Sequence, residues 1–286
     1  MGRLARLRFL AVGATIVLAA VLCAVMAPLL APHDPYLPVV SARLIPPVWD
    51  AGGTWQHPLG TDPLGRDLLS RIIYGARVSI SAGALAVVVS MTFGVLMGLL
   101  AGYYGGLVDS IIGNLVNVIL AYPFLLLALA AIAALGPSFG NMVVVLGLTG
   151  WPVYTRVVRA ETLKVREREF VQAARALGLG TARIIRAHVL PNLLNTIIVM
   201  ASLEVARMII LESFLSFLGL GIQPPTPSWG GMLGEGRVYM LTHWWLAAFP
   251  GLAIFITTLG INLFGDGLRD VLDPHRVLTP AGVRTE

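Results

Sequence analysis

Glu204, Arg207 and Glu212 are the residues whose types and spacing first demand an explanation, because they stand in a stretch otherwise apolar enough for lipid. Each charge costs about 2.5–3.5 kcal/mol at the centre of a membrane helix, so these side chains must face protein or water. Glu204 and Arg207 are one helical turn apart and can pair on one face, whereas Glu212 is displaced by roughly two turns from Glu204. Such a set can line a path for a zwitterionic solute, or it can fasten its helix to a neighbour. Hydrolysis inside the membrane is a poor third reading, since two glutamates beside an arginine provide no nucleophile with its base. His33, His57, His188, His243 and Asp34 match no H-E-x-x-H or similar spacing, and Cys23 is the single cysteine, so no metal site is expected. Lys164 is the sole lysine and lacks the glycines of G-x-x-x-x-G-K-[ST], so this chain is not expected to be a P-loop ATPase.

The elements that must position these residues are membrane helices. Of 286 residues 57% are apolar and 12% charged, with a mean hydropathy of +0.81, against roughly a quarter charged in a soluble domain. Uncharged stretches repeatedly reach the roughly 20 residues that cross a bilayer as helix. Six spans are predicted, at about Phe9 to Leu30, Val78 to Gly102, Ile111 to Leu135, Met142 to Val158, Asn195 to Leu218 and Leu246 to Phe264. The first apolar run follows Arg3, Arg6 and Arg8. It is longer than the roughly 7–15 residues of a cleavable signal core, which favours a retained span. The split between the third and fourth spans rests on the turn-forming Gly136, Pro137 and Ser138. Gly94, Gly98 and Gly102, four residues apart, predict close helix packing in the second span.

Orientation follows from basic residues. With the N-terminus inside, the cytoplasm receives the N-terminal arginines, the run from Arg156 to Arg186 including Lys164, and the tail residues Arg269, Arg276 and Arg284. The outside receives Arg43, Arg66, Arg71, Arg77 and Arg237. This is the positive-inside bias, and it explains the net charge of +5 without nucleic acid. The expected organisation is a tail and first helix over 1–31, an extracytoplasmic loop over 32–75, a core with five helices over 76–266 and a cytoplasmic tail over 267–286. Prolines fill the first outer loop, and the segment from Gly219 to His243 has a similar irregular character. Both can face a partner or substrate, or simply cap helix ends. Trp244 and Trp245 fit either an interfacial belt or a folded loop.

The stretch 161–191 is the longest polar insertion on the inner side. Phe170, Ala173, Ala174 and Leu177 make a stripe, Gly178 stops the helix, and a second basic run ends at Pro191, predicting a helical hairpin along the membrane surface. From pattern alone it is either a lipid-facing amphipathic helix or a docking element for another protein.

Gln172, Ala173, Ala174, Gly178, His188, Leu190 and Pro191 resemble, in type and spacing, the EAA loop of ABC importer permeases, with Gln172 in place of the usual glutamate and His188 in place of isoleucine. HPLGTDPLGRDLLSRIIYGARVSI at His57 to Ile80, with Gly60, Thr61, Asp62, Gly65, Arg66 and Asp67, LESFLSFLGLGIQPPTPSWGGML at Leu211 to Leu233, and LFGDGLRDVLDP at Leu263 to Pro274 narrow the resemblance to the C-type permeases of dipeptide and oligopeptide importers. One departure is visible. Asp109, Asn114, Asn117 and Pro123 stand where such permeases commonly hold Asp, Arg, Asp and Pro, and the paired loss of two charges avoids leaving one buried alone.

The resemblance implies an all-α membrane protein with a six-helix, type I (MetI-like) importer bundle in the inner (plasma) membrane, both termini cytoplasmic. It implies a B-type permease subunit as heterodimer partner, one or two ABC ATPase subunits that carry the ATP and Mg, an extracytoplasmic binding protein, and a peptide substrate moved by alternating access. No cofactor is expected on this chain. Related permeases carry nickel, glutathione or other small solutes. A secondary transporter is the rival of another class, but no internal repeat of the kind such proteins show is visible.

Overall fold

A computed structural model of the chain describes residues 3–272. The chain runs through α1 (Arg3–Val25), α2 (Ala27–Leu30), α3 (Leu68–Tyr104), α4 (Gly106–Ala121), α5 (Phe124–Leu135), α6 (Phe139–Arg166), α7 (Glu169–Ala176), α8 (Thr181–Ile184), α9 (Leu190–Phe217), α10 (Trp229–Gly236) and α11 (Trp245–Leu272). Among the described residues the only β-type pairing is an isolated bridge between Thr61 and Asp67. The predicted tail residues Arg276 and Arg284, and the end of the 263–274 signature, lie outside the described residues.

Among the described residues four helical stretches are long and apolar enough to cross a membrane, Arg8–Val25, α3, Thr181–Phe217 and α11, and the bent pair α4 and α5 makes a fifth if it counts as one span. The expected third span, Ile111 to Leu135, is therefore not one straight helix. It turns by 89° between α4 and α5, because Pro123 has no N–H for the ladder and its ring pushes Tyr122 out of the helical region, to ψ 140°. The expected fourth span lies inside α6. That helix has 28 residues, about 42 Å at 1.5 Å each, but Thr149, Thr155, Arg156 and Arg159 dilute its apolarity. The predicted turn between α5 and α6 is present: Ser138 caps α6 by accepting from Asn141 N at 3.1 Å, and Asn141 Nδ2 ties back to Leu135 O at 2.9 Å.

α3 is the spine. Its 37 residues make about 55 Å, more than the roughly 30 Å of hydrocarbon that a span must cross. α6 runs parallel to it in a fixed register: a Cβ added at Gly94 would lie 2.5 Å from Tyr154 Cβ, at Gly98 2.7 Å from Val158 Cβ, and at Gly102 2.6 Å from Thr162 Cβ. The glycines expected to pack do so against a matching four-residue stripe. Close approach also lets Thr155 Oγ1 donate to Gly94 O at 3.1 Å and Ser90 Oγ to Gly147 O at 2.9 Å. α9 crosses the other side of α3, with Ile209 against Gly83, and α1 packs antiparallel on α11 through Gly13, Gly260 and Gly267.

Both α3 and α11 overrun the expected boundaries, starting at Leu68 inside the first loop and continuing to Leu272 inside the tail. The segment 219–243 is not wholly irregular either. It contains α10, and Trp229 is buried there with Nε1 donating to Ile72 O at 3.0 Å. Trp245, the first residue of α11, is likewise buried, donating to Thr61 O of the first loop at 3.4 Å, while Trp244 is exposed.

Replacing Gly98 by Val is expected to push α3 off Val158 and Thr155 and cost about 1–3 kcal/mol or more. The same change at Gly113, which has open space around its Cβ position, should leave folding intact. Thermal unfolding of the two purified variants in detergent checks this.

Candidate functional site

The end of the bundle where α3 and α6 terminate carries the hairpin. α7 is its first arm, and Gly178 at φ +76° lets the chain reverse, a conformation that a side chain would strain. The second arm differs from the expectation. It is no separate surface helix but the stem of the next crossing, since α8, a π-type turn over Ile185–Val189 and α9 form one continuous run. Pro191 explains the π-type turn: it cannot donate, its ring crowds the preceding turn, and widening the helix just before it relieves both.

The underside of the hairpin is packed. Val171 and Ala174 are buried in one cluster with Leu99 and Tyr103 of α3, Val158 of α6, and Ile184, Val189, Leu193 and Ile197 of the following run. The predicted stripe is thus only half right: Ala174 faces in, while Phe170, Ala173 and Leu177 face out. Leu177, at the tip, is 81% exposed and Phe170 44%. Gln172 is exposed too, and its Nε2 donates to Arg166 O at 3.2 Å and Glu167 Oε2 at 3.5 Å. A carboxylate could do neither, so glutamine at this position locks α7 to the end of α6. Arg166 Nη1 in turn donates to Gly102 O at 3.0 Å, and Arg175 Nε donates to Tyr103 Oη at 3.3 Å with its guanidinium 5.0 Å from that ring. His188 is half-buried, its ring centroid 6.4 Å from that of Phe170, and Leu190 packs against the same cluster.

At the opposite end the six expected loop residues, Gly60, Thr61, Asp62, Gly65, Arg66 and Asp67, are all buried. Gly65 at φ +77° closes a tight loop, with Asp62 N donating to Arg66 O at 3.0 Å. Asp62 accepts from Arg66 Nε at 2.6 Å and also from Arg71 Nη1; both arginines reach Glu235 of α10, Arg66 Nη2 at 3.1 Å and Arg71 Nη1 at 2.9 Å. Arg71 is 2% exposed, and two acids opposite two arginines let such a cluster exist out of water. Asp67 caps α3, accepting from Ser70 N at 2.8 Å and Ser70 Oγ at 2.7 Å. Sequence reading missed Glu235 altogether, because nothing local at residue 235 announces partners 164 and 169 positions away.

The charges inside the fifth expected span separate. Glu204 and Arg207 pair at 2.9 Å, and the Arg207 guanidinium lies 5.7 Å from the Phe124 ring. Glu212 is elsewhere. It is 0% exposed and accepts from Ser216 Oγ at 2.7 Å and Ser213 Oγ at 3.3 Å, with Ser79 of α3 in reach. Ser213 and Ser216 belong to α9 itself, so these bonds keep the Glu212 carboxylate on its own helix, while the Glu204–Arg207 pair lies on a partly open surface. The Asn114 and Asn117 departure also gains a setting. With Asp109, Arg156 and Arg159 they line a cavity of about 340 Å³ between α4 and α6, where Asp109 holds Arg159 bidentately and Arg156 Nη2 donates to Asn117 Oδ1 at 3.0 Å. An amide there accepts from arginine without completing an ion pair.

Residues 94–277 match the family model described as binding-protein-dependent transport system inner membrane component. The chain is 45% identical to the di/tripeptide transport system permease protein DppC of Pseudomonas aeruginosa, over 92% of this chain and 86% of that protein. It is 47% identical to the dipeptide transport system permease protein DppC of Escherichia coli, over 92% and 88%. Its fold is similar to a chain of the MetNI methionine ABC transporter in an inward-facing conformation, with TM-score 0.58 and 17% identity over 71% of this chain and 96% of that one.

Replacing Arg71 by Met should leave the Asp62 and Glu235 carboxylates with one arginine and cost about 3–5 kcal/mol. Replacing Arg43 by Ala, whose exposed side chain donates only to Pro63 O, should cost less than about 1 kcal/mol. The yield and melting temperature of the two variants measure the difference.

Proposed function

The chain belongs to the family of binding-protein-dependent transport system inner membrane components, and from that premise we propose how this multi-pass permease subunit of an ABC importer works. It forms one transmembrane half of the importer, pairs with a second, B-type permease, and takes short peptides from a binding protein on the outer side. The hairpin end faces the cytoplasm, as the basic residues around it favour, with both termini on that side. ATP and Mg reside on one or two separate ATPase subunits, and this chain performs no hydrolysis.

The observation that carries this reading is the two-sided construction of the hairpin. Its packed side is continuous with α3, α6 and the stem of α9, so a displacement applied to it cannot be absorbed locally. Its outer side presents Leu177, Phe170 and Gln172, exposed with no neighbour among the described residues to cover the apolar surface. A lipid-facing amphipathic helix would need no such bracing. Closure of an ATPase dimer around nucleotide would move the hairpin, and the bundle would reorient against its partner permease. Peptide as cargo rests on the names of the relatives, and nickel, glutathione and other small solutes stay as alternatives. A secondary transporter has no use for a braced docking element.

Leu177→Glu should leave the bundle folded but weaken docking of the ATPase by about 2 kcal/mol or more, roughly thirtyfold in affinity. Co-purification of the ATPase and ATP-driven dipeptide uptake into proteoliposomes should both fall, while the partner permease stays bound. Undiminished uptake, or uptake abolished by a protonophore rather than by ATP removal, would contradict the proposal.

A further inference from the structure

The geometry points to a divalent transition-metal site on the loop end of this subunit, formed by His33, His57 and Asp67. One nitrogen from each imidazole and one carboxylate oxygen lie within 4.8 Å of one another. His57 Nδ1 is 2.9 Å and His33 Nδ1 3.8 Å from Asp67 Oδ1, and the two rings are 4.7 Å apart between centroids. Metal-to-ligand bonds of about 2.0–2.2 Å place tetrahedral ligand atoms about 3.4 Å apart, between the two observed separations. The spacing in sequence, 24 and 10 residues, hides this cluster from the short ligand motifs on which the expectation of no metal site rests.

Three observations make the cluster more than two histidines near an acid. First, His33 Nδ1 is shielded from solvent yet makes no hydrogen bond. A buried imidazole nitrogen left bare is a vacant ligand position, whereas a structural histidine would have found a partner. Second, the two oxygens of Asp67 have divided roles: Oδ2 is fixed by Ser70 N and Oγ, leaving Oδ1 turned to the histidines. Ser70 Oγ also accepts from His33 N at 3.0 Å, so the same serine orients two of the three residues. Such outer contacts are what holds ligands in place around a metal. Third, Asp67 is 0% exposed and, among the described residues, no arginine or lysine pairs with it, the arginines nearby being engaged by Asp62 and Glu235. Asp67 Oδ1 faces His57 Nδ1 at 2.9 Å, and a cation seated between that oxygen and the two rings would place a full positive charge beside the buried carboxylate.

Two imidazoles and a carboxylate suit zinc, nickel or copper(II) rather than magnesium or calcium. The partly exposed His33 ring leaves a fourth position for water and a way in. The ion would join the proline-rich segment after α2, the loop before α3 and the first turn of α3, closing the outer cap of the subunit at one point.

The test uses the full chain purified in detergent, stripped with a chelator and titrated with zinc chloride, or with cobalt(II) for its visible absorption. One zinc per chain should survive gel filtration and raise the melting temperature. His33→Ala should weaken zinc binding by about a hundredfold or more and abolish the thermal shift, while melting like the wild type without metal, because the His33 ring makes no hydrogen bond that folding needs. His33→Cys should restore binding. A wild-type chain that takes up no zinc, or a His33→Ala chain that binds it as tightly as the wild type, would overturn the assignment.

Discussion

Along the seam between α3 and α6 the backbones approach so closely that only glycine fits at Gly94, Gly98 and Gly102, and every other feature of the subunit is referred to that contact. In lipid no hydrophobic effect draws two helices together; dispersion contacts and hydrogen bonds between close backbones must do so. A parallel pair in fixed register supplies both, with Thr155 and Ser90 reaching across to carbonyls of the facing helix. Because α3 is longer than a span requires, it also joins two places that would otherwise be independent. Its first turn is capped by Asp67, next to the cluster of Asp62, Arg66, Arg71 and Glu235, and its last turn is gripped by Arg166 and packed beneath the hairpin.

Charge is distributed to match. The outer cluster tolerates Asp62, Arg66 and Arg71 out of water because four charges of alternating sign converge there, Glu235 completing the set. In the middle of the bundle the buried Glu212 accepts from two hydroxyls of its own helix, Ser213 and Ser216, without an ion pair among the described residues. At the hairpin end arginines cap carbonyls and stack on Tyr103, which stiffens the support of a surface whose outer face stays apolar. The permease thus keeps its buried charge cluster at the end of the bundle away from the hairpin.

Much of this was legible in the chain before any coordinates. The hairpin at Gln172 to Pro191 and the close packing of the second span follow from local spacing, which is what helices and tight turns obey, whereas the loop signature at His57 to Ile80 comes from family resemblance alone. Three things were hidden for physical reasons. The break at Pro123 sits in a run so uniformly apolar that hydropathy cannot register it, although the proline itself was the signal. The second arm of the hairpin reads as a separate helix because Pro191 normally ends one, and only a π-type turn lets the run continue. Glu235 and the pairing of His33 with His57 depend on loops folding back over long separations, which no periodicity encodes.

The central claim is that the outer cap, the α3–α6 seam and the hairpin move as one body. It is tested most directly by pulsed electron spin resonance between labels at Trp55, 83% exposed on the outer loop, and the exposed Ala182 on the hairpin, with Cys23 replaced by Ser. In a reconstituted transporter the distance should agree within about 2 Å between nucleotide-free and ATP-bound states, even as distances to the partner permease change. A distance between Trp55 and Ala182 that lengthens or splits into two populations on ATP binding would show that the seam gives way, and the account would fail.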